Sequence, residues 1–337
     1  MTTPAIHPRV QAELSTPAGE GDRHNQMKRL LPLLLGDGHS PEGVFACFRG
    51  MYGDDVTDRE IGCLIEWGTK KDFSPTQGHA APYRGERENF SEEQKLARYL
   101  RNTETYLDGF RALEIDLLEA SPIRLLDDFR GDARLLLEQL YHPRELVNIN
   151  ADYRLAADGK VDIVGAGRCQ TTEEWCEELA RNPAPQSLAG CWIRMNPVHT
   201  RKGSGAGGSF TDADVDFYRF ILLENDRLPL ELQLSLFVRL KLPIVVILDS
   251  GGRSLHAWVR TQAVDEIEYR AEADYLIELL ERFGIDRSNK NPSRFSRLPG
   301  VIRTLGARND TGLPSNGQAA QRILFLNPSP NKAKSIA

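Results

Sequence analysis

Three short segments hold the residue types and spacings that suit chemistry on phosphates. In the first, the apolar run Phe220-Ile-Leu-Leu leads into Glu224-Asn225-Asp226. On a strand, positions i and i+2 place both carboxylates on one face, close together. Like charges so placed call for a cation, and hard oxygen ligands suit Mg²⁺ or Mn²⁺. A solvated strand end before Pro229 is the plainer alternative. In the second, Ser250-Gly-Gly-Arg253-Ser254-Leu-His256 joins an apolar run at 243–248 to a strand at 254–260, so the glycines make a hairpin turn. Ser254 and His256 then share a face and, with Arg253, offer donors to an anion such as a triphosphate; a polar strand face in solvent is the alternative. In the third, Ile285-Asp286 is followed by Arg294 and Arg297, and Asp286 is the one acid among seven Arg/Lys from 282 to 308. As a ligand it would complete a carboxylate trio, with the arginines neutralising phosphate charge. The alternative is an acid after a helix end, in a solvated basic loop.

Two further patterns carry less. The segment 203–208 contains G-x-G-x-x-G, but 196–202 separates it from the preceding strand and the next helix starts late, at Asp212. A dinucleotide fingerprint must follow a strand directly and open a helix, so a mobile, chemically dispensable loop is expected and a dinucleotide-dependent oxidoreductase is not. A zinc site from Cys169, Cys176, Cys191 and His199 lacks any Cys-x-x-Cys pair, which favours buried structural thiols. No G-x-x-x-x-G-K-[ST] motif occurs, so no P-loop motor is expected.

The elements that position these segments follow from periodicity. Residues 1–22 read as a loose tail. A helical bundle is expected over 23–71: Met27, Leu30, Leu31 and Leu34 make one stripe, Ser40-Pro41 opens a second helix, and Thr57 with Glu60 caps a third. Residues 72–90 read as a linker, and Ser91 with Gln94 caps a helix reaching about Leu113. From 91 to 328 strand-like runs alternate with helical ones, including a helix whose inward face holds Ile267, Ala273, Leu276, Ile277, Leu280 and Phe283 and which Gly284 ends. The pattern predicts an α+β fold, a small N-terminal helical bundle followed by a mixed α/β domain, with a loose tail at 329–337.

The net charge of −6 argues against tight nonspecific duplex binding, yet the basic stretch at 282–308 is compatible with a basic cleft. The richest apolar run, 30–35, is far too short to span a bilayer, no secretory signal is seen, and five scattered cysteines suggest reduced thiols; a soluble, cytoplasmic protein is expected.

At the three segments, in this order, the chain resembles the archaeo-eukaryotic primase superfamily, in particular the RepB-like primase–polymerases of bacterial mobile elements and phages. That family carries acid-x-acid, Ser-x-His and hydrophobic-Asp motifs, here Glu224-Asn225-Asp226, Ser254-Leu255-His256 and Ile285-Asp286. The resemblance implies an RRM-like core sheet with helices, and two-metal nucleotidyl transfer by a DNA primase or primase–polymerase. By the same carry-over Glu224, Asp226 and Asp286 bind the metals, Ser254 and His256 hold the nucleotide triphosphate, and Arg294 and Arg297 contact nucleotide or template phosphates. Single-stranded DNA and nucleoside triphosphates are the implied partners, with a separate replicative helicase. The bundle at 21–71 is similar to a helical module that lies C-terminal to such domains; here it lies N-terminal. The competing expectation is a catalytically silent replication-initiation protein that binds single-stranded DNA.

Overall fold

The computed structural model describes residues 23–36, 39–69, 91–308 and 317–330, with a few isolated positions before residue 20. The segments expected as tail and linker, 1–22 and 72–90, lie wholly or almost wholly outside those residues, as does 331–337. The chain divides into two compact units, 1–89 and 90–337.

In the first unit α1 (Arg23–Gly36), α2 (Pro41–Tyr52) and α3 (Asp58–Thr69) enclose one core. Met27, Leu30, Leu31 and Leu34 are all fully buried there, as the stripe predicts, and Val44, Phe48, Ile61 and Leu64 meet them. Ser40 caps α2 by accepting from the Gly43 amide, which satisfies one orphan donor of its first turn.

The second unit opens with α4 (Glu92–Leu107), whose capping box pairs Ser91 and Gln94. The helix stops short of the expected Leu113 because Asp108 adopts a left-handed conformation (φ 49°), which closes the last turn. There follow α5 (Glu114–Ala120), α6 (Asp132–Leu140), β1 (Leu146–Asn150), β2 (Tyr153–Leu155), β3 (Val161–Ile163), β4 (Arg168–Thr171), α7 (Thr172–Leu179) and β5 (Trp192–Arg194). Next come β6 (Phe220–Glu224), α8 (Leu230–Arg239), β7 (Ile244–Asp249), β8 (Leu255–Arg260), α9 (Glu266–Leu280), β9 (Phe295–Arg297), β10 (Val301–Arg303) and β11 (Ala319–Leu326).

The larger sheet has the order β10-β11-β7-β8-β6 and the smaller β4-β1-β5-β9, with antiparallel pairing throughout; β2 and β3 form a separate hairpin. The succession β6-α8-β7-β8-α9-β11 follows the strand–helix–hairpin–helix–strand order of an RRM-like sheet, with β8 between β6 and β7, but β11 lies on the free side of β7 and not beside β6, where that sheet carries its last strand. Side chains alternate across this sheet. Ile221, Leu223, Ala257 and Val259 pack with α8 and α9, whereas Phe220, Leu222 and Trp258 turn to the other face and meet Val147, Ile149 and Ile193 of the smaller sheet. Even-numbered residues of β6 and β8 therefore face the space between the two sheets, and this alternation carries Glu224 and His256 there. Most of the expected inward face of α9 is buried, but Ile267 is 74% exposed, because at helical spacing it stands on the opposite side from Ala273, Leu276 and Leu280; Tyr269 is the first-turn residue in phase with them and is fully buried.

Candidate active site

Glu224 is the last residue of β6 and stands opposite His256 on β8. Its Oε1 accepts from the Ser254 hydroxyl (3.0 Å) and lies 3.2 Å from His256 Nε2. Burial opposes its ionisation, but His256, Ser254 and Asn289 outweigh that and hold the carboxyl down at about 2. Asn289 is fully buried, and its amide lowers this pKa without closing a hydrogen bond of ordinary geometry.

The hairpin turn that presents Ser254 and His256 is built by its small residues. Gly251 has a φ of 69°, which a side chain would strain, and its N–H caps the Asp249 carboxylate at 2.8 Å. Arg303 clamps the turn by donating to the Ser250 carbonyl (3.3 Å) and the Leu305 carbonyl (2.8 Å), while Arg308 pairs with buried Asp249. Arg253 projects outward from the same turn. With Asp226, Gly252, Leu100 and Leu228 it lines a cavity of ≈ 450 Å³. A larger one of ≈ 530 Å³, lined by Arg134, Tyr141 and Cys176, shares none of the candidate residues.

Asp226 does not share a strand face with Glu224. The strand ends at Glu224, and the buried Asn225 side chain turns the chain by accepting from the Arg227 and Leu228 amides while donating to the Phe283 carbonyl. Asp226 is left exposed beyond the bend, within electrostatic reach of Arg297 and Arg303. Asp286 reaches the site through its backbone, whose N–H donates to the Glu224 carbonyl at 2.8 Å. Gly284 permits that approach with a φ of 83° and leaves no room for a Cβ against Tyr99. The Asp286 carboxylate, however, accepts from the Ser288 hydroxyl (2.6 Å) and faces Arg294 at 3.9 Å. Among the described residues no group of three or more His, Cys, Asp or Glu is arranged to hold a metal ion. The side chains of Glu224, Asp226 and Asp286 are thus not gathered around one point. Burial pushes the thiols of Cys169 and Cys176 up to about 11 and that of Cys191 to about 12, so all three are held as neutral thiols.

Four residues gain a place here that their local sequence did not suggest. Arg303 is one, 7% exposed. Ser296 is fully buried between His256 and Trp258, and Asn289 lies beside Glu224. All but Trp258 sit in the basic stretch already singled out for Asp286 and its arginines, which was the available signal. Arg297 stacks on Trp192 (4.5 Å) and donates to the Ala189 carbonyl at 2.8 Å. Burial and then the nearby Arg303 lower its pKa from 12.5 to about 9, and burial lowers that of Arg303 as well. Among the described residues neither guanidinium has a carboxylate within ion-pair distance. Glu224, Asp226 and Asp249 oppose part of that cost from a distance, and an anion between the two guanidinium groups would offset more of it.

The Gly-rich loop at 203–209 is ordered, contrary to the expectation of mobility. Buried Asp214 accepts from the Ser204 N–H (3.1 Å) and hydroxyl (3.0 Å) and from the Thr211 N–H (2.7 Å), and the Gly205 amide donates to the Ser209 carbonyl at 2.9 Å. Among the described residues no helix is long and apolar enough to cross a membrane.

No protein-family model matches the chain, and no curated protein matches it by sequence. Three solved structures are similar to it. The primase RepB′ shares 13% identity over 68% of this chain with a TM-score of 0.34, and the chain spans 59% of that structure. The AEP domain of the cyanophage S-2L primase–polymerase shares 18% identity over 60% of this chain and 92% of its own, with a TM-score of 0.37. The catalytic domain of RepB′ in complex with initiator DNA shares 13% identity over 59% of this chain and 76% of its own, with a TM-score of 0.29. Likenesses this distant carry no inference about chemistry, which rests on the residues above; the solved structures that this chain is similar to are primases and a primase–polymerase.

Proposed function

We propose that residues 91–330 form a nucleotidyltransferase, a DNA primase or primase–polymerase that joins nucleotides on a single-stranded DNA template. The observation that supports this reading best is the pair of desolvated guanidinium groups, half-buried Arg297 and buried Arg303, with no carboxylate at ion-pair distance among the described residues, beside the Ser254–His256–Glu224 cluster. An anion with several charged oxygens, such as a nucleoside triphosphate, is the complement of that cluster. Arg297 and Arg303 bind its phosphates, and the Ser254 hydroxyl and the His256 N–H donate to the remaining oxygens. Arg253 and Arg294, both reaching solvent, take nucleotide or template phosphates.

In the transfer a 3′-hydroxyl oxygen loses its proton to solvent water and bonds to the α-phosphorus as the bond from that phosphorus to the α–β bridging oxygen breaks, and pyrophosphate leaves. The guanidinium groups neutralise the charge that grows on the leaving oxygens. Mg²⁺ or Mn²⁺ is the ion proposed for Glu224, Asp226 and Asp286, where it would supply further neutralisation and lower the pKa of the attacking hydroxyl. The side chains do not close around such an ion as they stand, so the steps given involve the protein's own groups alone.

That same arrangement favours a second reading, a catalytically silent protein that binds single-stranded DNA at replication initiation. Incubation with unprimed single-stranded DNA, labelled nucleotides and Mg²⁺ or Mn²⁺, followed by product sizing, separates the two. Template-dependent products are expected. Their absence with both ions, while the strand still binds, would leave the silent reading in place.

A further inference from the structure

His256 is held from both sides. On one side its Nε2 lies 3.2 Å from Glu224 Oε1. On the other, Nδ1 lies 2.9 Å from the Ser296 hydroxyl and 3.4 Å from the Arg297 amide. Ser296 in turn lies 2.8 Å from the indole Nε1 of Trp258. All of His256, Ser296 and Trp258 are 4% exposed or less, so water does not compete for these bonds.

The donors in this chain are determined at two points. An indole nitrogen only donates, so the Ser296 oxygen accepts from Trp258; a backbone amide only donates, so Nδ1 accepts from Arg297. The Ser296 proton then has His256 Nδ1 as its one acceptor among the described residues. A proton on Nδ1 would strand the serine proton and set two N–H groups against each other. In the neutral ring it would also turn the Nε2 lone pair toward a carboxylate oxygen. With the proton on Nε2, the Ser296 hydroxyl and the more distant Arg297 amide share the Nδ1 lone pair, and the Nε2 proton meets Glu224.

We propose that Ser296, oriented by Trp258, is a positioning residue that locks His256 in its Nε2–H tautomer, so that the imidazole presents a donor to a phosphate oxygen. The proposal deepens the nucleotide-binding reading given above and rests on it for the identity of the ligand. A nucleotide oxygen replacing Glu224 would meet the same N–H with no tautomer change, so ring and proton are placed before the ligand arrives.

The test is selective ¹⁵N-histidine labelling of the full chain without nucleotide, at alkaline pH where imidazole is neutral, with His256→Gln identifying the resonance. The wild type should show a pyridine-like Nδ1 and a pyrrole-like Nε2. Ser296→Ala should bring in the other tautomer, and Ser296→Thr should restore the wild-type pattern. Affinity for labelled nucleoside triphosphate should fall about three- to tenfold in Ser296→Ala, with single-strand affinity unchanged. A wild-type Nδ1–H tautomer would overturn the proposal, as would an unchanged spectrum in Ser296→Ala. The tautomer is read without nucleotide, so a wild type with the inferred tautomer but no triphosphate binding would refute the functional reading and leave the relay standing.

Discussion

Replacing Arg297 by Met should make the protein more stable and less able to bind a nucleotide. The guanidinium is held at about 9 in place of 12.5, a displacement that corresponds to at most about 5 kcal/mol against the charged form in the fold. Methionine removes that cost and keeps an apolar contact on Trp192. Against this, the Ala189 carbonyl loses its donor at 2.8 Å, which costs about 1–3 kcal/mol, and the cation–π contact at 4.5 Å goes, about 1 kcal/mol. The net is a gain of about 1–3 kcal/mol, or a rise in Tm of roughly 2–12 °C for a unit of this size. The backbone N–H of residue 297 still reaches His256, so that bond survives the substitution. Nucleoside triphosphate affinity should drop about ten- to a hundredfold, the worth of a charge-assisted contact. Thermal denaturation with and without triphosphate, paired with titration of a fluorescent nucleotide, measures both effects. A variant several degrees less stable than wild type would refute the reasoning, since the charge would then be compensated within the fold. Wild-type nucleotide affinity would refute it equally.

Glu224→Ala should abolish nucleotide incorporation while single-strand binding persists; incorporation at the wild-type level with Mg²⁺ present would remove Glu224 from the reaction. Asp214→Ala should release the 203–209 loop and cost about 3 kcal/mol, because Ser204 and Thr211 lose an acceptor in a buried place. Hydrogen exchange of the 203–209 amides would read this, and unchanged protection would show that the loop is held otherwise. Asp132 is 3% exposed and accepts from the Ile323 amide at 2.8 Å, and burial raises its carboxyl from 3.8 to about 7 despite that bond. A carboxyl that protonates more readily in the fold than in the unfolded chain stabilises while protonated, so its contribution is full below about pH 4 and is lost as pH rises through about 7. Asp132→Asn should flatten that decline and stabilise the protein near pH 8 by at most about 4 kcal/mol, and a Tm–pH profile parallel to wild type would contradict it.

The parts of the site that could be read from sequence are those whose geometry is local. An apolar run into an acid and a Gly-Gly hairpin each set backbone direction within a few residues, and β6 and the β7–β8 turn lie where those signals place them, whereas α9 stops at Leu280 and Gly284 closes the 3₁₀ turn Glu281–Phe283 that follows it. Asp226 departs from the reading because Asn225 competes with strand pairing through its own amide, a choice made by the carbonyl of Phe283, fifty-eight positions on. The 203–209 loop was misjudged for a similar reason. Its order comes from Asp214, ten residues beyond Ser204, and composition alone counts only the entropy of small residues.

The basic stretch pointed to the neighbourhood of Ser296 and Arg303 but not to what either does. Their meaning depends on β9 pairing with β5, Trp192 against Arg297, which sets the smaller sheet against the even-numbered face of β6 and β8. That packing makes Ser296 a neighbour of His256 across forty positions and puts Arg297 among buried groups instead of in solvent. The basic stretch at 282–308 thus does two things that its composition does not distinguish. Arg287 and Arg294 stay near water, paired with Glu281 and Asp286, whereas Arg297 and Arg303 are drawn into the junction between sheets without a carboxylate of their own. Charge that is merely solvated can lie anywhere on a surface. Desolvated charge without an ion pair is offset only in part by the more distant Glu224, Asp226 and Asp249, and an anion set between the inner two arginines would add to that offset, which the net charge of the segment does not reveal.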